Sequence, residues 1–255
     1  NMNMKLHNPT LRVIEVIETV AENQSGLSLS QISSKINCPK STLMPILKTL
    51  CEKNYLLFSE ETLLYTMGKE ILFISSMYES TNTSLDLIQE QMKRLSTECN
   101  ETCHLGILTG NEIMYLLKIS TTNPIQLISS VGKRLPAYAT ALGKALLLDK
   151  SINELEELFP NPFKAFTAQT IKSPIDLYND IHNNNNSFTY ENEEITNHAC
   201  CIALPIREDG KIVAALSVSF LTFTTSSEKV LKIKKELLKS ASIIERIIKN
   251  KGFSY

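Results

Sequence analysis

The spacing of apolar residues changes along this 255-residue chain, and that change constrains the fold more than any other feature. Up to about residue 99, apolar residues recur every three to four positions, the spacing of one helix face, apart from a hairpin pattern at 55–65. Within 103–130 and 202–219, short apolar runs bounded by turn residues indicate β-strands, and helical spacing returns near the C-terminus. The sequence therefore predicts a helical N-terminal part followed by a mixed α+β part.

The N-terminal part has the pattern of a DNA-binding motif. Apolar stripes predict helices over 9–23 and 29–36, with Ser28 or Ser30 as N-cap of the second, and a third helix whose first residue is Pro39. Three helices and a hairpin, with a turn of about four residues between the second and third helices, are typical of a winged helix-turn-helix. A three-helix bundle without a nucleic-acid role fits the same pattern.

The charge distribution limits how nucleic acid can be bound. A formal net charge of −1 excludes a protein that holds nucleic acid through bulk positive charge. Within 28–53, however, there are four lysines and one acidic residue, Glu52. Positive charge is therefore concentrated on the proposed helix-turn-helix. Because few phosphate contacts give weak binding, we expect a dimer or higher oligomer to be needed. The basic residues of 226–255 are interpreted as the solvated face of an amphipathic helix rather than a DNA contact.

The second part alternates helical and strand patterns. A linker helix is expected at 68–82, and an α+β domain follows it. Further helices are predicted at 85–99, 139–149, 152–159, 175–182 and along the C-terminal stripe, and strands at 103–108, 113–118, 125–130, 202–206 and 212–219. The run 183–186 is four asparagines and is expected to be an exposed loop.

The compartment follows from what the chain lacks. No apolar run approaches the ~18 residues of a membrane span, and residues 1–5 lack the apolar core of a signal peptide. We therefore expect a cytoplasmic protein with no membrane partner, and reduced cysteines.

The cysteines and histidines leave two other functions open. A metal or thiol-redox sensor would need two or more of a set of residues to meet in space: Cys99, Cys103, His104, His198, Cys200 and Cys201. A thiol hydrolase built on Cys201, His198 and Glu191 is disfavoured, because no cysteine is placed at a helix N-terminus.

Four stretches of the chain resemble the IclR family of bacterial transcription regulators. They are 131–145 (VGKRLPAYATALGKA), 190–219 from Tyr-Glu-Asn-Glu-Glu to Ser-Val-Ser, 39–42 (PKST) and 65–68 (YTMG). The resemblance implies a winged helix-turn-helix domain at 1–67, a linker helix at 68–83 and a GAF-like α+β effector-binding domain at 84–255. It also implies homodimers that often pair into tetramers, a double-stranded DNA operator and, more often than activation, repression.

The resemblance also assigns site residues by motif position. Contacts to DNA are expected from the third helix, at Lys40, Ser41, Thr42, Met44 and Lys48. The family's usual His-Arg is replaced by Met44-Pro45, and Pro45 is expected to kink or restart this helix. The effector is expected to contact Thr140, Ala141, Leu142, Glu191, Cys201, Ser217 and Ser219.

The chemistry of these positions fits a small organic acid. Thr140-Ala141-Leu142 is predicted at a helix N-terminus, which favours an anion, and Ser217 and Ser219 share one strand face. Glu191 replaces the family's aspartate and would repel a carboxylate unless it is protonated or paired with a ligand hydroxyl, which favours a hydroxylated acid. His198 replaces a family glycine. We expect no enzyme activity, no cofactor and no metal. Gly143-Lys144 is also compatible with tight packing beside a solvated lysine.

Overall fold

The computed structural model describes residues 6–80, 83–121, 129–183 and 187–253. The chain divides into two compact units, residues 1–81 and 82–255. Within the described ranges, no helix is both long enough and apolar enough to cross a membrane. The N-terminal helix-turn-helix and the C-terminal α+β domain confirm the predicted fold class.

The first unit contains three helices, a hairpin and a fourth helix. They are α1 (Asn8–Ala21), α2 (Leu29–Lys35), α3 (Lys40–Glu52), β1 (Leu56–Ser59), β2 (Leu64–Met67) and α4 (Glu70–Ser80). Its core contains Val16, Ile32, Leu43 and Leu47, all essentially inaccessible to solvent, whereas Ile14 on α1 is 46% exposed. Burial of the core residues fixes which face of each helix is exposed.

The N-termini of α2 and α3 are capped differently. Ser28 caps α2: its side chain accepts a hydrogen bond from the Gln31 N–H, and the Gln31 side chain accepts one from the Ser28 N–H. Pro39 is the N-cap of α3 and not its first residue, a shift of one position from the prediction.

Helix α3 continues through Pro45 as one element, so the predicted restart of the helix is not observed. Pro45 removes only the bond that its N–H would have donated to the carbonyl of Ser41. The Pro45 ring lies on the exposed side of the helix, where that carbonyl can be hydrated.

The second unit is built around one sheet. Its elements are α5 (Thr83–Cys99), β3 (Thr102–Thr109), β4 (Glu112–Ile119), β5 (Arg134–Pro136), α6 (Ala141–Leu146), α7 (Ile152–Leu158), α8 (Pro174–His182), β6 (Thr189–Asn192), β7 (Ala199–Glu208), β8 (Lys211–Leu221) and α9 (Ser227–Lys251). The sheet is antiparallel throughout, in the order β5-β4-β3-β8-β7-β6.

Helices cover both faces of the sheet. One apolar cluster packs α5 and the predicted α9 stripe against one face, and a second packs α6, α7 and α8 against the other. Side chains that alternate along β3, β7 and β8 therefore enter one of two cores. The long strands β7 and β8 meet at Asp209-Gly210, both with positive φ, as a tight hairpin requires.

Several boundaries differ from the sequence predictions. Helix α6 ends at Leu146, and a 3₁₀ turn at Ala137–Ala139 precedes it, so the predicted helix at 139–149 is too long. Strands β5 and β6 were not predicted, because three or four residues at a sheet edge carry almost no alternation. Of the predicted strand at 125–130 and the asparagine loop at 183–186, residues 125–128 and 184–186 lie outside the described residues.

Candidate functional site

A cavity of about 430 Å³ lies between the sheet and the N-terminal end of α6. All seven residues that the sequence proposes as effector contacts line it, and eight further residues complete the wall. The lining residues are His104, Tyr115, Ser129, Lys133, Leu135, Thr140, Ala141, Leu142, Glu191, Ile195, Thr196, Ala199, Cys201, Ser217 and Ser219.

Strand register arranges the floor of the cavity. Glu191 on β6 pairs with Cys201 on β7, and Cys201 pairs with Ser219 on β8, so these three side chains form one row across the sheet. Ser217, two residues from Ser219, pairs with His104 on β3. The predicted shared face of the two serines follows from this alternation.

Glu191 is buried, and its backbone partners are already in place. Its Oε1 accepts hydrogen bonds from the N–H groups of Glu194 (2.6 Å) and Ile195 (3.2 Å). Burial raises the pKa of the Glu191 carboxyl in spite of these bonds. A carboxyl in this state can accept a hydrogen bond from a ligand hydroxyl, or donate one if it is protonated.

Cys201 is a packed thiol beside Ser219. Its Sγ lies 3.1 Å from the Ser219 Oγ, and burial raises the pKa of the thiol well above its usual range. Because the thiolate is the nucleophile, this environment opposes the thiol-hydrolase alternative.

His104 was not among the residues predicted to contact an effector. Its side chain is buried, Nε2 lies 2.8 Å from the Ser129 Oγ, and the ring stacks on Tyr115 with centroids 4.5 Å apart. Burial, followed by the nearby charge of Lys118, lowers the pKa of His104 to about 3, so the imidazole is neutral at physiological pH. The alternation of β3 carries the signal, because His104 lies between the apolar Cys103 and Leu105 and so faces the other side of the sheet.

The interpretation of Lys144 as a solvated lysine is wrong. Its side chain is fully buried, and its Nζ lies 2.6 Å from Glu194 Oε1 and 2.9 Å from Asp180 Oδ2. It also donates to the carbonyl of Tyr190. Tight packing beside it is correct: a Cβ on Gly143 would lie 2.1 Å from the carbonyl oxygen of Ala137.

Two contacts fix the start of α6 at the cavity wall. The Thr140 side chain accepts a hydrogen bond from the Gly143 N–H, and Thr189 donates to the carbonyl of Ala141. The backbone around Ala141 and Leu142 is therefore held in place before any ligand binds.

His198 is exposed and is not part of the cavity wall. Its φ is +64°, a left-handed conformation. Glycine adopts that conformation without a steric cost, which accounts for the glycine that the family resemblance gives at this position.

The residues of the metal- or thiol-redox-sensor alternative fall into two groups. Cys99 and Cys103 lie in the core formed with α5 and α9, whereas His104 faces the cavity. Within the described ranges, no three His, Cys, Asp or Glu side chains are grouped so that they could hold a metal ion.

The residues proposed to contact DNA lie on one exposed side of α3. Lys40, Ser41, Thr42, Met44 and Lys48 are all exposed, whereas Leu43, Leu47 and Leu50 on the same helix are buried. The helix therefore presents a polar and basic surface that is free of core packing.

Comparisons with known proteins agree with this architecture. The family model "Bacterial transcriptional regulator IclR C-terminal" matches residues 81–246, and "IclR helix-turn-helix domain" matches 10–58. The chain is 27% identical over 243 residues to the HTH-type transcriptional regulator XynR of Escherichia coli K12, covering 93% of this chain and 95% of the relative. It is 28% identical over 211 residues to the HTH-type transcriptional repressor AllR of Salmonella typhimurium, covering 82% and 78%. Its fold matches that of an IclR homolog from Microbacterium hydrocarbonoxydans solved with 4-hydroxybenzoate, with a TM-score of 0.74, 22% identity and coverage of 95% and 99%. The chain belongs to the IclR family of bacterial transcriptional regulators.

Proposed function

We propose that this regulator represses transcription by binding its operator as a homodimer through α3, and that a small hydroxylated organic acid in the cavity modulates this binding. The observation that carries the proposal is that all seven effector positions, from four separate elements, line one cavity. Residues from α6, β6, β7 and β8 meet there only because the sheet and α6 are packed together.

The lining chemistry favours such an acid. Thr140, Ser217 and Ser219 offer hydroxyl groups, and Glu191 offers a partner for a ligand hydroxyl. Apolar side chains, among them Leu135, Leu142 and Ile195, cover much of the remaining wall, as is usual where a few polar groups orient a ligand. The family neighbour with 4-hydroxybenzoate, an acid with one hydroxyl, supports the same class.

A homodimer is supported by the surface of α4. Leu72, Phe73 and Ile74 are 74%, 58% and 48% exposed. Three consecutive apolar side chains exposed on one helix are typical of a surface that a partner covers. A dimer would also double the few phosphate contacts that one protomer offers.

Repression is supported by the relative named as a repressor. Regulation follows if the acid binds the DNA-bound and free forms of the protein with different affinities, since only a differential affinity shifts such an equilibrium.

The test is fluorescence anisotropy of the full chain on labelled duplexes that tile the DNA upstream of its own gene, with scrambled duplexes as reference, over a salt series. We expect one upstream duplex to bind at least tenfold more tightly than its scrambled version, and an organic acid to change that affinity. Equal, salt-labile binding to every duplex would contradict specific operator recognition.

Two variants assign the effects to the two units. Lys48→Ala should weaken operator binding and lower the salt slope by about one per lost phosphate contact. Glu191→Gln should retain operator binding and lose the response to the acid. Lys239→Ala, an exposed residue of α9, removes the same charge from the other unit and should change neither property.

A further inference from the structure

We propose that Met44 reads the sequence of the operator by packing against the C5 methyl group of a thymine in the major groove. The inference rests on the proposed function, because it concerns the bases that α3 contacts, and it narrows that function to one class of base pair. Each half-site of the operator then carries a T·A pair against Met44, and the thymine methyl group contributes to the affinity.

The first observation is the set of side chains that α3 carries. Arginine, asparagine and glutamine recognise guanine or adenine through paired hydrogen bonds, and the helix sequence KSTLMPILKTLCE contains none of them. The hydroxyl groups of the exposed Ser41 and Thr42 can bond to any base, so they discriminate weakly. Apolar contact with the thymine methyl is a mode of base recognition that this helix can still use.

The second observation is the freedom of Met44. Its side chain is 48% exposed, and the core cluster of the first unit contains its neighbours Leu43 and Leu47 but not Met44. The ring of Pro45 lies beside it on the exposed side of α3 and extends the apolar surface. A methionine side chain is flexible and polarisable, so it adapts to an irregular apolar surface such as a row of base edges.

The third observation is the charge around Met44. The exposed Lys40 and Lys48 lie four residues before and four residues after it, which places all three on one face of α3. A lysine ammonium is a compact charge on a flexible stem, well suited to phosphate oxygens, and such contacts carry no sequence information. The two lysines therefore favour nucleic acid as the molecule that covers Met44.

The acidic residue of α3 lies away from this arrangement. Glu52 is exposed but is the last residue of the helix, eight positions beyond Met44. Recognition helices contact base edges with their N-terminal residues, so Met44, the fifth residue of α3, is in the part of the helix that enters the groove.

The experiment compares thymine with uracil, which lacks only the C5 methyl group. Duplexes that the full chain enriches from a random-sequence library supply the operator, and each thymine is then replaced in turn by deoxyuridine. Fluorescence anisotropy measures the affinity of every duplex. Burial of one methyl-sized group corresponds to about fourfold in a binding constant. We therefore expect one replacement in a half-site to weaken binding about fourfold, and the same replacement in both half-sites to weaken it about sixteenfold.

Three variants assign this loss to Met44. Met44→Ala removes the apolar contact, so its affinities for the thymine and uracil duplexes should differ by less than about twofold. Met44→Leu keeps an apolar side chain of similar volume and should retain a preference for thymine of about threefold or more. Leu231→Ala is the control, because it truncates an exposed apolar residue of α9 in the other unit, and it should leave the preference of the parent unchanged.

Two results would overturn the role of Met44 and leave specific operator recognition intact. One is an equal affinity of the parent for thymine and uracil at every position of the enriched duplex. The other is a preference for thymine that Met44→Ala retains in full. If the library yields no enriched duplex, specific operator recognition and the contact between Met44 and thymine are both wrong.

Discussion

The ammonium nitrogen of Lys144 lies 2.6 Å from Oε1 of Glu194, and the lysine side chain is fully buried. The N–H of the same Glu194 donates to Glu191 Oε1 on the cavity wall. A charge on α6 is thereby connected to the proposed effector site through one residue. The loop at 193–194 is held from its other side by Thr167 and Thr170, whose hydroxyls donate to the carbonyls of Glu193 and Glu194.

Lys144→Met should strongly destabilise the second unit. It leaves Glu194 buried without its cation, and removing one partner of a buried pair costs about 3–5 kcal/mol. Urea unfolding of the full chain, followed by circular dichroism, measures the loss. Lys150→Met is the control: Lys150 pairs with Glu154 on the surface, and its loss should cost less than about 0.5 kcal/mol. A Lys144→Met protein within 1 kcal/mol of the parent would contradict the importance of this pair.

Gly143→Ala should also destabilise the chain, although alanine is normally better than glycine in a helix by about 1 kcal/mol. The added Cβ would lie 2.1 Å from the Ala137 carbonyl oxygen and 2.4 Å from its Cα. Both are backbone atoms, so α6 must move away from the 3₁₀ turn. We expect a net loss of at least about 2 kcal/mol in the same urea assay. An equal or higher stability would show that this close approach is easily relieved.

Pro45→Ala should stabilise the first unit by about 1–2 kcal/mol. The change restores the hydrogen bond to the Ser41 carbonyl. Loss of that bond is one part of the ~3 kcal/mol by which an internal proline destabilises a helix. About 1 kcal/mol of the gain is offset because the unfolded chain becomes more flexible. Met44→Ala, on the same exposed side of α3, is the control and should change stability by less than about 0.5 kcal/mol. Thermal unfolding of the full chain measures the stability of this unit, and an unchanged or lower unfolding midpoint in the Pro45→Ala protein would contradict the prediction.

Strand alternation explains why much of the cavity was predictable. Ser217 and Ser219 are two residues apart on a strand, so their shared face follows from the sequence once the strand is recognised. The winged helix-turn-helix was predictable for a similar reason, since its stripes are local and Ser28 with Gln31 forms a complete capping box.

The burial of Lys144 and the side-chain contacts of His104 could not be predicted in the same way. A lysine is almost never buried without a charged partner, and the partners of Lys144 lie 36 to 50 residues further along the chain, at Asp180, Tyr190 and Glu194. Alternation along β3 indicates which sheet face His104 occupies, but its contacts with Tyr115 and Ser129 are tertiary. Such burial depends on tertiary contacts that local periodicity does not contain.

Titration of His104 should make the folded chain sensitive to acid. Its pKa is lowered to about 3 in the folded state, against about 6.5 when unfolded. Below pH 6.5 the imidazole therefore binds a proton in the unfolded chain but not in the folded chain. The free energy of unfolding falls progressively from pH 6.5 toward pH 3. By pH 4 this one residue accounts for about 3 kcal/mol of lost stability. His104→Gln removes the titration, so its unfolding free energy should decline less steeply than that of the parent between pH 6.5 and 4. Because both proteins share every other titrating group, the difference between their two urea-derived curves isolates His104, and parallel curves would contradict a buried neutral imidazole.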